Sequence, residues 1–207
     1  MGLGGGAFVV GCEEIGGAQM KSSDVEILVI AGHTGAGDAH WQRRLIAKLS
    51  SARLVEQEDW LYGSLTKAVT ALVEAVAAAS KPVVFVAHSA GCILIAHAVA
   101  ELGARGLIDK VKGGFLVTPT SVEKMHELQG IDAAFANVPR APLPFPTSLV
   151  ASSNDPYSTM EQSADLALAW GSKLIEAGAQ GHINSDSGHG PWPEGMMSFA
   201  GFLSRLA

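Results

Sequence analysis

Three short stretches hold side chains that together can do covalent chemistry. "VVFVAHSAGCILIAHAVA", Val83 to Ala100, sets Ser89 between an apolar, β-branched run and an apolar helical pattern. "SLVASSNDPY" sets Asp155 just past another apolar run, and Pro156 forces a turn there. "KLIEAGAQGHIN" and "SGHGPWPEG" offer two imidazoles, His182 and His189. A serine hydroxyl is a weak nucleophile at neutral pH. It becomes reactive when an imidazole takes its proton and a carboxylate holds that imidazole in the required tautomer. The chemistry these residues can do is acyl transfer through an ester on the serine.

Ser89 at the head of a helix would also serve as an ordinary N-cap. What favours a nucleophile is the tight turn it occupies. Such a turn needs small residues two before and two after the serine, because strand and helix nearly touch there. Ala87 and Gly91 meet that need, Ala87 being a mild departure from the usual glycine. Asp109, Asp132 and Asp165 fall on helical or irregular chain, and Asp186 comes too late for an order of serine, acid, histidine. For the base, position at a strand end favours His182, while His189 sits in a Gly/Pro-shaped loop nearer the last helix. The developing oxyanion calls for two N–H donors. Ala90 supplies one, and "AGHTGAG" after the first strand supplies the other, from His33 with Thr34 as the alternative.

The elements that must position these groups follow from the apolar pattern. "EILVIAG", "ARLVEQ", "PVVFVAH", "KGGFLVTPT", "TSLVASS" and "SKLIEAGA" read as strands. Helical patterns separate them: "DAHWQRRLIAKLSS", "SLTKAVTALVEAVAAAS", "AGCILIAHAVAEL" and "STMEQSADLALAWG", with a last helix near Glu194 to Leu206. Continuously apolar strands joined by helices predict a parallel sheet covered on both faces. The fold class is therefore α/β, a three-layer α/β/α sandwich around a mostly parallel six-stranded sheet. Residues 1–23, Gly-rich at the start, are expected to be a flexible extension, and 24–207 a single domain. Ligands of open parallel sheets bind beyond the carboxyl ends of the strands, where the candidate residues fall. The stretch from Ser121 to Pro146, with one short helix near "SVEKMHEL", leaves room only for a small lid. An open site and modest acyl groups are the expectation.

A net charge of −6 and the lack of a Lys/Arg cluster exclude a nucleic-acid or anionic-membrane partner class. No apolar run approaches the ~18 residues of a membrane span. Two cysteines, Cys12 and Cys92, are no disulfide framework and point to the cytoplasm. His33/His40 and His182/His189 have no thiolate or carboxylate completing a metal site, so neither metal nor cofactor is expected. Besides the catalytic candidates, Thr34, His88, Trp60, His189 and Trp192 are candidates for lining a substrate pocket; tryptophans otherwise serve as core or loop anchors.

Two other functions compete. "GHTGAGDAH" after the first strand resembles a dinucleotide site in position, but glycines at 32, 35 and 37 have the wrong order. Tyr62 and Tyr157 are followed at reductase spacing by Thr66 and Glu161 instead of lysine. This disfavours a nucleotide-dependent oxidoreductase. A non-catalytic binding protein on the same fold would not need all three of serine, acid and base.

"VAHSAGC", "LPFPTSLVASSNDPY", "LAWGSKLIEAGAQGHIN" and "SGHGPWPEG", with "GDAHWQ" and "VEQEDW", resemble the retinoblastoma-binding protein 9 / YdeN-like serine hydrolases, small members of the α/β-hydrolase superfamily. The resemblance spans Glu26 to Leu206. It implies a compact α/β-hydrolase fold, a nucleophile at Ser89, an acid at Asp155 and a base at His182 instead of His189. A serine with its acid and base points to small-molecule esters or amides as substrates with no cofactor, and leaves any protein partner unknown. The chain departs from the family at "LYGSLTKAV" after "EQEDW" and at His33 in the first loop, both of which bear on pocket shape.

Overall fold

The computed structural model describes residues 19–59 and 63–206. Among the described residues, six strands form one sheet: β1 (Glu26–Ile30), β2 (Ala52–Leu54), β3 (Val83–His88), β4 (Val111–Val117), β5 (Thr147–Ala151) and β6 (Lys173–Glu176). Their order is β2-β1-β3-β4-β5-β6, and every pairing is parallel. The sheet is thus wholly parallel, where the sequence pattern asked only for a mostly parallel one. Helices α1 (Trp41–Lys48), α2 (Leu65–Ala77), α3 (Ala90–Ala104), α4 (Val122–Glu127), α5 (Met160–Trp170) and α6 (Pro193–Leu203) supply the outer layers.

Alternate strand residues feed two cores. Ile27, Val29, Val84, Val86 and Phe115 pack with Trp41, Leu45, Phe199 and Phe202, so α1 and α6 cover one face. Leu28, Ile30, Phe85, Leu116 and Leu149 pack with Leu72, Val76, Ile93, Leu102 and Trp170, so α2, α3 and α5 cover the other. β3 and β4 lie centrally, which is why β3 is buried along its whole length. β6 is an edge strand with Lys173 and Glu176 exposed, and it stops well short of the predicted "SKLIEAGA". Charged, short edges of this kind resist pairing with other chains.

The predicted N-terminal extension falls largely outside the described residues. Its last part does not hang free: Met20 packs against the α1/α6 core. Ser22–Asp24 forms a single 3-10 turn, tied to the body by Lys81 Nζ donating to the Ser23 carbonyl at 2.7 Å. Trp60, a pocket candidate, also lies outside the described residues.

The chain runs from β1 through α1 to β2 on one side, then crosses to β3 on the other. β1 and β3 therefore flank the point where strand order reverses, and a crevice opens there at their carboxyl ends.

Candidate active site

Ser89 occupies the step between β3 and α3 with φ 57° and ψ −128°, a backbone conformation rarely taken by a residue bearing a Cβ. Such strain costs of order 1–3 kcal/mol and persists only where the surroundings hold it. Here the hold is close packing. A Cβ on Gly91 would lie 2.6 Å from the Ala31 carbonyl oxygen and 2.7 Å from that of Ile30, so only glycine lets α3 start against β1. A Cβ on Gly32 would lie 2.7 Å from Ser89 Cβ. The turn after β1 is thus pressed against the serine. Gly35 N–H closes it on the Gly32 carbonyl at 3.1 Å, Thr34 has φ 68°, and His33 Nε2 donates to the Gln129 carbonyl at 2.9 Å.

Asp155 and His182 come from the loops after β5 and β6, which are stitched together. Ser152 Oγ accepts from Gln180 N–H at 2.9 Å, and Asn154 Oδ1 accepts from Gly181 N–H at 2.6 Å. Tyr157 N–H donates to Asp155 Oδ1 at 2.9 Å, the local turn that aspartate favours. Held this way, the Asp155 carboxylate lies 2.9 and 3.1 Å from His182 Nδ1. His182 Nε2 lies 2.9 Å from Ser89 Oγ. The carboxylate can only accept, so Nδ1 carries the proton and Nε2 is free to accept from the serine. The two side chains are 2% and 8% exposed, which keeps competing water away.

The His182 carbonyl is fixed as well. It accepts from His88 Nε2 at 2.8 Å and from Thr118 Oγ1 at 3.2 Å. Thr118, at the end of β4, has φ 46°, a strained setting for a β-branched residue. Two residues on, Thr120 Oγ1 lies 2.9 Å from Ser89 Oγ. Since Ser89 gives its single proton to His182, Thr120 is the donor in that bond. The rings of His40, His88 and His182 follow one another at centroid distances of 4.9 and 4.7 Å, and Tyr157 lies 4.3 Å from His182. Burial lowers His88 well below the usual histidine range, with the His182 and His40 charges adding to the effect. Burial, then the charge of His182, pushes His40 down to about 4. Both are neutral at pH 7 and offer ring faces instead of charge.

A cleft of about 400 Å³ lies over Ser89 and His182. His33, Thr34, His40 and His88 line it, as do Tyr157, Asn184 and Asp186. Two sequence candidates are elsewhere. Trp192 is a core residue: its ring packs 5.1 Å from that of Trp41, in the core between the sheet and α6. His189 turns its ring into its own loop, with Nε2 2.9 Å from Gln180 Oε1 and Nδ1 3.2 Å from Ser187 Oγ. Neither lines the cleft. The sequence reading passed over Thr120, Tyr157 and Asn184. Tyr157 adjoins Asp155 in "NDPY" and Thr120 follows a strand end, so position alone could have raised them. Among the described residues, no three His, Cys, Asp or Glu side chains are placed to hold a metal. No helix there is long and apolar enough to cross a membrane.

The chain as a whole has counterparts among known proteins. Residues 27–201 match the serine hydrolase family. A YdeN-like hydrolase from Pectobacterium atrosepticum superposes with a TM-score of 0.76 at 27% identity, over 89% of this chain and 94% of that one. The ydeN gene product of Bacillus subtilis gives 0.63 at 19% identity, over 87% and 100%. Esterase 2 of Thermogutta terrifontis gives 0.61 at 15% identity, over 90% and 87%; these last two speak to the fold alone. Among curated proteins, none matches the sequence.

Proposed function

Because the chain belongs to the serine hydrolase family, as a YdeN-like member of the α/β-hydrolase superfamily, we propose that it cleaves small esters, and amides more slowly, through an acyl-enzyme on Ser89. The observation that carries this reading is the unbroken relay Ser89 Oγ, His182 Nε2, His182 Nδ1, Asp155, with each step near 2.9 Å. It sits at the crevice where a parallel sheet binds its ligands.

Ser89 Oγ attacks the carbonyl carbon while its proton passes to His182 Nε2. Asp155 holds the ring and stabilises the imidazolium. The oxyanion is taken by the Ala90 N–H, in the first turn of α3 where N–H groups have no partner within the helix, and by the His33 N–H. His182 returns the proton to the leaving oxygen or nitrogen, and the alcohol or amine departs. Water then attacks the acyl carbon, gives a proton to His182, and the acid leaves as Ser89 Oγ regains its hydrogen. No metal or cofactor takes part in any of these steps. Each oxyanion donor contributes about 3 kcal/mol in such sites.

The short α4 segment leaves the cleft open, which favours modest acyl groups. Cys92 is a buried free thiol, in keeping with a reducing compartment, and we assign the protein to the cytoplasm. The test is a panel of esters, thioesters and aminoacyl amides run beside Ser89→Ala. Ester turnover that vanishes in the variant supports the reading; turnover that survives it overturns the reading.

A further inference from the structure

Two cavities of unlike chemistry flank the step from Ser89 to Ala90, with His33 on the border of both. The first is the cleft of about 400 Å³ that contains His182 and Ser89. The second, about 50 Å³, adjoins Ala90 and Gly91; Ala31, Ala68, Leu94, Ile131 and Phe135 give it apolar walls, with Gln57 and Asp59 as polar ones.

On the acyl-enzyme reading above, which this inference rests on, the two halves of a substrate cannot exchange places. His182 must hand its proton to the departing atom, so the leaving group lies on the His182 side, in the large cleft. The oxyanion points to Ala90 and His33. The acyl chain then takes the remaining direction, into the small cavity that borders both donors and lacks His182. A water-sized group takes about 10–15 Å³ of such space. The cavity therefore admits an acyl chain of about three to five carbons.

The cleft's charge selects the other half. No Lys or Arg is among its described lining residues, and Asp186 is an exposed carboxylate on its wall. Tyr157, His40 and His88 present aromatic rings. Rings and a carboxylate together suit a positive head and repel a negative one. We infer that the protein's substrates join a short apolar acid to a polar alcohol or amine that is cationic or uncharged, and that esters with anionic leaving groups are rejected.

The experiment pairs two ester series with fluorophosphonate labelling of Ser89. The first series is 4-nitrophenyl acetate, butyrate and octanoate. The second is the butyryl esters of choline, of 3,3-dimethylbutanol as its uncharged isostere, and of glycolate. We expect kcat/KM for octanoate at least about tenfold below butyrate. We expect choline to exceed dimethylbutanol about threefold, the size of a partly exposed charge pair, and glycolate to trail both by about tenfold. In Asp186→Asn the choline-to-dimethylbutanol ratio falls toward one. If turnover is slow, free choline should retard labelling more than glycolate does. Octanoate or glycolate preferred, or glycolate the better protector, overturns this inference and leaves the acyl-enzyme reading intact. Ser89 failing to label overturns both.

Discussion

Thr120 Oγ1 lies 2.9 Å from Ser89 Oγ, and the proton count makes the threonine the donor. The Ser89 hydroxyl is therefore held from two sides, by His182 accepting and by Thr120 giving. Both threonines of "VTPT" reach the same machinery, since Thr118 holds the His182 carbonyl. Removing one such bond removes about 1 kcal/mol of positioning. Thr120→Val should lower kcat for a 4-nitrophenyl ester about fivefold with KM little moved, and Thr120→Ser should restore most of it. A Thr120→Ser variant as slow as Thr120→Val would mean that shape, not the hydroxyl, is what matters.

His182 and His189 are both buried imidazoles near the same end of the sheet, yet only His182 faces Ser89. Loss of a triad base costs on the order of a million-fold in kcat in another serine hydrolase. His182→Ala should fall on that scale. His189→Ala removes hydrogen bonds to Gln180 and Ser187, and should cost roughly 1–3 kcal/mol of stability with turnover within about fivefold of wild type. Steady-state kinetics beside urea unfolding separates the two.

Acidification should weaken the fold before the carboxylates titrate. Burial lowers His40 to about 4 and His88 further, so the folded chain refuses protons that the unfolded chain takes near pH 6.5. Stability is full above that pH and declines as the pH falls toward 4. His40 alone accounts for roughly 3 kcal/mol of that decline, at about 1.4 kcal/mol per unit. His40 Nδ1 also caps α1 by accepting from Gln42 N–H at 3.2 Å. His40→Asn keeps a capping side chain and should show a flatter slope of unfolding free energy between pH 6.5 and 4.5. An unchanged slope would contradict the assignment.

Gly91→Ala should destabilise by about 1–3 kcal/mol, because the new methyl meets carbonyl oxygens that cannot move without opening β1 from α3. A shift of a few degrees in Tm per kcal/mol is expected for a chain of this size. The same variant should slow acylation, since Ser89 is seated by that contact.

The sheet and its helices were legible because each rests on a local signal, an apolar run with sharp ends; the same strand ends set Ser89, Asp155 and His182 at one end of the sheet, where their side chains stand about 2.9 Å apart in the order Ser89–His182–Asp155. The edge of the sheet was less legible. "SKLIEAGA" mixes apolar with polar residues, and regular strand covers only Lys173–Glu176, although Ala177 N–H still donates to the Ala151 carbonyl and Ser153 N–H to that of Gly178. Trp192 and His189 were misplaced as pocket residues for a related reason. Sequence puts them in a loop beside His182, and only packing shows Trp192 against Trp41 and His189 bonded within its loop. Thr120 stands just past a strand end, so position could raise it as a site residue, but its contact with Ser89, 31 positions away, comes only from the fold. No local pattern links a hydroxyl after one strand to a hydroxyl after another.

The most direct test of the central claim is to map a fluorophosphonate adduct by peptide mass while timing its formation. The account predicts a single adduct on the peptide that contains Ser89, absent in Ser89→Ala and formed at least about a thousandfold more slowly in His182→Ala. An adduct on another residue, or His182→Ala labelling at the wild-type rate, would contradict it.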